Sequence, residues 1–188
     1  MKQKKHNQTP VRTGAPVRVH IRSQIRDLTP DDDAPTPFGG LRQFDFDHDF
    51  EPETIEYKTD GLLSDDGDTV TISYDESEEL GFEKSSTTLS FSKGTPGAVI
   101  MVRSGDGSTV CRFSETERRQ HCVYNTGFLP IELIINTFAV ENSFAGGAGH
   151  IALDYSIELR GLTTERNKLS VDYKPLDNRP TEIERSSL

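Results

Sequence analysis

The pattern of this sequence predicts an all-β protein, a single antiparallel domain closed into a barrel. Three observations carry the prediction. Apolar residues alternate with polar ones at a period of two along most of the chain, which is the signature of strands with one buried face. The alternating segments are short, evenly spaced and separated by Gly- and Asp-rich turn signals. No segment carries an apolar stripe at helical spacing. A sandwich would share these signatures. Short connections between neighbouring segments imply a mostly up-and-down strand order, and that order favours a barrel, which removes the exposed edges.

The elements follow in order. Residues 1–14 hold Lys, Gln, Asn, Thr and Gly without periodicity and are expected to be a disordered basic tail. Val17, Val19, Ile21 and Ile25 then alternate with Arg18, His20, Arg22 and Gln24, which puts His20 on the solvent side of a strand. Residues 27–52 contain Pro30, Pro35 and Pro37, the acids Asp31, Asp32 and Asp33, and Gly39-Gly40. Such a stretch excludes regular structure and is expected to be an acidic insertion loop in a domain of residues 15–174. Ile55, Tyr57 and Thr59 precede Asp60-Gly61, which reads as a turn. Val70, Ile72 and Tyr74 form the next face, and Thr87, Leu89 and Phe91 the one after it, ending at Lys93-Gly94-Thr95-Pro96-Gly97. Ala98 to Arg103 is followed by a turn at Ser104-Gly105-Asp106-Gly107. Val110 to Phe113 and Gln120 to Tyr124 read as a hairpin. Leu129, Ile131, Leu133 and Ile135 share one face of a longer strand. Ile151, Leu153, Tyr155, Ile157 and Leu159 give the cleanest alternation, and Leu169, Val171 and Tyr173 close the series before a flexible tail at 175–188.

With 188 residues the chain suits one domain. No apolar run approaches the roughly 20 residues that cross a bilayer as a helix. The basic start at Lys2, Lys4 and Lys5 leads into polar residues rather than a signal-peptide core, so a cytoplasmic protein is expected. Residues 1–26 carry seven Lys and Arg and no acid, which leaves −17 on the remainder of a chain whose net charge is −10. So acidic a body would repel a phosphate backbone, and nucleic acid is not an expected partner.

Several segments together resemble a known family. They are Ser73-Tyr74-Asp75-Glu76-Ser77-Glu78-Glu79-Leu80-Gly81, then Ser86-Thr87-Thr88-Leu89, Val102-Arg103-Ser104-Gly105, Tyr124-Asn125-Thr126-Gly127, the strand around Thr137, and Asp154-Tyr155-Ser156-Ile157. Their order and spacing, more than any one of them, resemble the DUF1934, or YwiB-like, family of small bacterial proteins of unknown function, from about Val17 to Tyr173. The resemblance implies a calycin-like (lipocalin-like) barrel of about eight to ten strands. It implies no catalytic residues.

Candidate sites are few. Glu76 continues the apolar face of Val70, Ile72 and Tyr74, and Arg103 continues that of Val99 and Met101. Strict alternation points both into the barrel, where two buried charges need each other or a ligand. They are expected to line a small polar site near one mouth, assisted by Tyr74, Thr88 or Tyr124. Solvated strand ends are the competing reading. Cys111 and Cys122 fall opposite each other if the hairpin turns near Thr116-Glu117, sharing a face with Phe113 and Tyr124. In a reducing compartment they are expected to stay thiols and pack as small apolar side chains. The acidic run from Asp45 to Glu53 lacks the Gly that a calcium loop needs at its sixth position, where Phe50 stands. An edge strand with its apolar side down fits it better. His6, His20, His48, His121 and His150 show no zinc spacing, and no phosphate loop or nucleophile elbow occurs. No metal, cofactor or catalytic residue is therefore expected.

Two functional classes remain. One is a non-catalytic module that binds a small anionic or amphipathic ligand in or at the mouth of the barrel. The other is a barrel filled with side chains whose outside mediates protein association or homodimerisation. The many inward Ile, Leu, Phe and Tyr residues could pack a small barrel solid.

Overall fold

A computed structural model describes residues 13–28, 51–76, 85–105, 107–126 and 128–176. The basic tail up to residue 12, the insertion from 29 to 50 with most of its acidic run, and the segment from 177 to 188 lie outside the described residues.

Ten antiparallel strands form one sheet: β1 (Ala15–Asp27), β2 (Glu53–Asp65), β3 (Thr69–Asp75), β4 (Ser86–Ser92), β5 (Ala98–Ser104), β6 (Thr109–Ser114), β7 (Arg119–Asn125), β8 (Pro130–Ala145), β9 (Ala148–Leu159) and β10 (Leu162–Pro175). There is no helix among the described residues, and so none long and apolar enough to cross a membrane. The spatial order is β6-β5-β4-β3-β2-β1-β10-β9-β8-β7, so all paired strands are neighbours in sequence except β1 and β10, the first and last strands, and only the neighbours β6 and β7 share no ladder. The sheet curls until its edge strands β6 and β7 lie side by side. They are joined by one bridge, in which Ser108 and Asn125 exchange both backbone hydrogen bonds at 2.9 and 2.8 Å. The predicted hairpin of these two segments is thus the seam of a nearly closed barrel, without a continuous ladder.

The alternation read from the sequence is the in–out pattern of this barrel. Val17, Val19 and Ile21 of β1, Ile72 of β3, Leu89 of β4, Phe113 of β6, Ile151 of β9 and Val171 of β10 are all buried inside it. Polar partners lie on the outside, where His20 meets Glu56 at 2.8 Å.

Two local expectations change. Asp60-Gly61 is no turn: β2 runs through it, and Gly61 pairs with both Val17 and Tyr74. A Cβ at Gly61 would stand 2.8 Å from the Ser73 carbonyl and from the Val19 methyl, so glycine lets three strands approach here. In β8 a bulge between Thr137 and Ala139 shifts the phase. It turns Phe138 outward and brings Val140 in. Outside, Phe138 lies under the Arg166 guanidinium, 3.7 Å from its ring centroid, while Arg166 grips Asp154 at 2.6 and 2.9 Å.

The two ends of the barrel differ. At one end odd-numbered strands finish and even-numbered strands begin. The opposite end is apolar, with Leu63, Phe91, Val99 and Tyr173 buried. There the Tyr173 hydroxyl donates to the Ser143 carbonyl at 3.0 Å.

Candidate functional site

The first end is polar inside. Its inner wall is a cross-strand row that follows from register: Tyr74 on β3 faces Thr87 on β4, Thr87 faces Arg103 on β5, and Arg103 faces Thr109 on β6. Continued in step from the Ser108–Asn125 bridge, the row crosses the seam to Tyr124 on β7. Glu76 follows β3 directly, its amide held by the Ser85 carbonyl at 2.9 Å. Alternation persists through this residue, and its carboxylate turns inward.

There the charges meet. Arg103 donates from Nε and Nη2 to one Glu76 oxygen at 3.1 and 2.5 Å, and the Thr87 hydroxyl donates to the other at 2.6 Å. The side chains of Glu76 and Arg103 are 12% and 23% exposed. They are therefore neither solvated strand ends nor sealed in the core. They form a paired, mostly buried ion bridge at the mouth.

Three phenols surround this bridge. Burial pushes the Tyr57 pKa up to about 12, with a further rise from Glu76 and an opposing pull from Arg103. Burial likewise raises Tyr74, as do Tyr57, Glu76 and Tyr155. Tyr155, tilted against Phe113 with ring centroids 4.7 Å apart, is raised by burial and by Cys111 and Glu165. All three phenols stay protonated at neutral pH and can donate. Among the described residues no hydrogen bond reaches their hydroxyls. The Oγ1 of Thr137, which pairs with Tyr155 across the β8–β9 ladder, is buried and also without a partner. Asn167, opposite Tyr155 on β10, is buried and points Nδ2 at Glu165 at 3.4 Å.

Of the residues predicted for the site, the structure brings Tyr74, Glu76 and Arg103 together. Tyr124 belongs to the same row but stands at the seam, its ring packed where any Cβ on Gly107 would lie. Thr88 does not join them. It faces outward between Ser73 and Val102, and Thr87 takes its part, in phase with Leu89 and Phe91. Tyr57, Tyr155, Thr137 and Asn167 were not singled out from the sequence; only the inward phase of Tyr57 and Tyr155 was visible there.

Two concavities of the described surface lie elsewhere. One, of about 420 Å³, is a trough on the outer face of β1, β10, β9 and β8, lined by Arg22, Gln24, Glu141, Asp154 and Lys168. The other, of about 130 Å³, touches His121, Cys122, Val123 and Glu132 beside the seam. No group of three or more His, Cys, Asp or Glu side chains suited to a metal ion occurs among the described residues.

Fold and site define a class: a ten-stranded antiparallel meander barrel, apolar at one end and carrying a paired charge among phenols at the other. The chain belongs to the DUF1934 family, a domain of unknown function whose family model matches residues 41–171. It is similar to the YwiB protein from Bacillus subtilis, whose crystal structure superposes with a TM-score of 0.64 at 21% sequence identity, over 86% of this chain and 92% of that one. That likeness concerns the fold. No curated protein matches the sequence.

Proposed function

We propose that the protein is a non-catalytic binding barrel that takes a small amphipathic ligand at its polar mouth, with the ligand's hydrogen-bond-accepting head among Arg103, Tyr57, Tyr74 and Tyr155. The observation that carries this reading is the set of inward phenols that have no hydrogen-bond partner beside the Glu76–Arg103 bridge. Beside them the Thr137 hydroxyl is sealed from water without a partner, which costs about 1–3 kcal/mol, whereas the phenol hydroxyls are not sealed and stay open to an incoming acceptor. A bound ligand head would engage the phenols together and could reach that hydroxyl as well. Glu76 holds Arg103 in place and offsets its charge, so recognition would rest on neutral donors as much as on the cation. Nothing in the cluster pairs a nucleophile with a base in the manner of an acyl-transfer or hydrolytic site. Native mass spectrometry of the gently purified protein tests the reading. A stoichiometric small-molecule adduct, lost in Arg103→Met and weakened in Tyr57→Phe, is expected; a bare wild-type mass overturns it.

A second reading has its own observation. On the outer face a row of valines crosses the seam: Val102 pairs with Val110, and Val110 stands opposite Val123 in the register of the Ser108–Asn125 bridge. Val110 is 60% exposed, and Phe128 in the adjoining β7–β8 turn is 97% exposed. Such a contiguous apolar strip supports association with a second copy of the chain. Sedimentation that shows a concentration-dependent dimer, abolished by Val110→Asp, supports it. A wild-type monomer at every concentration rules it out.

A further inference from the structure

The seam holds a feature that neither reading uses. Cys111 on β6 and Cys122 on β7 are free and buried, and their sulfurs lie 3.5 Å apart. Each strand is laddered on its far side, Cys111 to Met101 and Cys122 to Leu133, whereas across the seam the bridge at Ser108 and Asn125 is the one ladder contact among the described residues. That bridge is a hydrogen-bonded pair, and in an antiparallel ladder such pairs alternate with non-hydrogen-bonded ones. Stepping in register from Ser108–Asn125, Val110–Val123 is again a hydrogen-bonded position, and Cys111–Cys122 falls on a non-hydrogen-bonded one. In a regular ladder the α-carbons of such a pair stand about 4.5 Å apart, within the range a disulfide spans, and here the sulfurs already lie in contact.

We propose that Cys111 and Cys122 are a peroxide-reactive dithiol, and that its oxidation to an intramolecular disulfide closes the seam between β6 and β7. Cys111 is the attacking sulfur. The Cys122 thiol and the Thr109 hydroxyl, 3.5 Å from Cys111, stabilise its thiolate and bring its pKa down to about 7, whereas Cys122 is pushed up by its neighbour and by burial. A small cleft at His121, Cys122, Val123 and Glu132 opens beside the Cys122 side of the pair.

The chemistry balances. The Cys111 thiolate attacks one peroxide oxygen; an S–O bond forms, the O–O bond breaks, and the released hydroxide takes up the proton that Cys111 gave to solvent. Cys122 then attacks the Cys111 sulfur. The S–S bond forms, the S–O bond breaks, and the departing hydroxide takes the Cys122 proton. Two thiols are oxidised and one peroxide is reduced to two waters.

The inference does not rest on ligand binding at the mouth, and its test uses the folded full chain with hydrogen peroxide alone. The expected product is a monomer lighter by two hydrogens. After digestion with trypsin, the peptide Ser104–Arg112 should be linked to Gln120–Arg160. In Cys122→Ser the reaction stops at Cys111, whose sulfenic acid is captured by dimedone, whereas Cys111→Ser leaves Cys122 unlabelled. The melting temperature of the oxidised wild type rises by about 5 °C or more. Two thiols that still alkylate after peroxide, a link that forms only in urea, a cross-linked dimer, or dimedone capture at Cys122 would each overturn the proposal.

Discussion

Replacing Glu76 by Leu tests whether the ion bridge at the mouth is a coupled unit. The substitution removes the acceptor of two Arg103 hydrogen bonds, at 3.1 and 2.5 Å, and of the Thr87 hydroxyl at 2.6 Å. Thr87 is buried, so its orphaned hydroxyl costs about 1–2 kcal/mol. Stranding one member of a fully buried pair costs about 3–5 kcal/mol. Arg103 has a further interaction besides Glu76 and keeps 23% of its side chain exposed, which reduces its share to about 1–2 kcal/mol. The single change should therefore cost about 3 kcal/mol. Arg103→Met, which strands the Glu76 carboxylate but leaves it the Thr87 donor, should cost about 2 kcal/mol. The double variant strands no charge, and it should be no worse than the more damaging single. A double-mutant cycle from urea unfolding then gives a coupling of about 2 kcal/mol. The chain has no Trp, so far-ultraviolet circular dichroism is the probe. Costs that add to within about 0.5 kcal/mol would refute the coupling and leave two independently solvated charges.

The phenols predict a loss of stability in alkali. Tyr57 and Tyr173 are both raised by burial from the ordinary 10 to about 12, so the unfolded chain releases these protons first. The contribution of these two phenols should be level below pH 10 and fall as pH rises from 10 towards 12. Urea midpoints across that window check this, and Tyr57→Phe or Tyr173→Phe should flatten the fall. At the apolar end, Gly149 leaves no room for a methyl group beside the Ser143 carbonyl and the Tyr173 hydroxyl. Gly149→Ala should cost about 2–4 kcal/mol in urea unfolding, against about 1 kcal/mol for Tyr173→Phe, which removes only the hydrogen bond. Equal costs would mean that the ladder accommodates the methyl group.

Alternation made most of the fold legible, because a period of two is a direct imprint of the pleat on a chain with one buried face. Glu76 and Arg103 were found by trusting that period past the last apolar residue. Thr88 was misplaced where the period was set aside: Thr87, Leu89 and Phe91 already gave the inward phase of β4, which excludes Thr88. Asp60-Gly61 carries a turn signal on a continuous strand because its glycine serves close packing, and composition does not separate the two uses. Nothing local announces the β8 bulge. Tyr57, Tyr155, Thr137 and Asn167 escaped notice because a strand pattern shows which side chains point inward but not which meet across the lumen. That depends on strand stagger, a property of the closed sheet.

The same stagger explains why mouth and seam are one neighbourhood. A meander has a ladder wherever sequence neighbours pair, and here the two chain ends pair as well, through β1 and β10. The turn between β6 and β7 is the one connection whose strands share no continuous ladder. Opening the barrel there sacrifices one bridge, whereas opening it between β9 and β10 breaks a ladder that runs from Leu162 to Tyr173. Local opening should follow the weaker path. Native-state hydrogen exchange should therefore show the amides that point across the seam from Val110, Arg112, His121 and Val123 exchanging faster than those of β9 and β10. Inside the seam stand Thr109 and Tyr124, which continue the row that holds Arg103, and next to them Cys111 and Cys122, in the row of Met101. Motion there reaches the polar mouth without disturbing Ile72, Leu89 or Ile151 in the packed interior. Uniform protection across all ten strands would mean that the bridge and the packing of Phe113 close the barrel as firmly as a full ladder does.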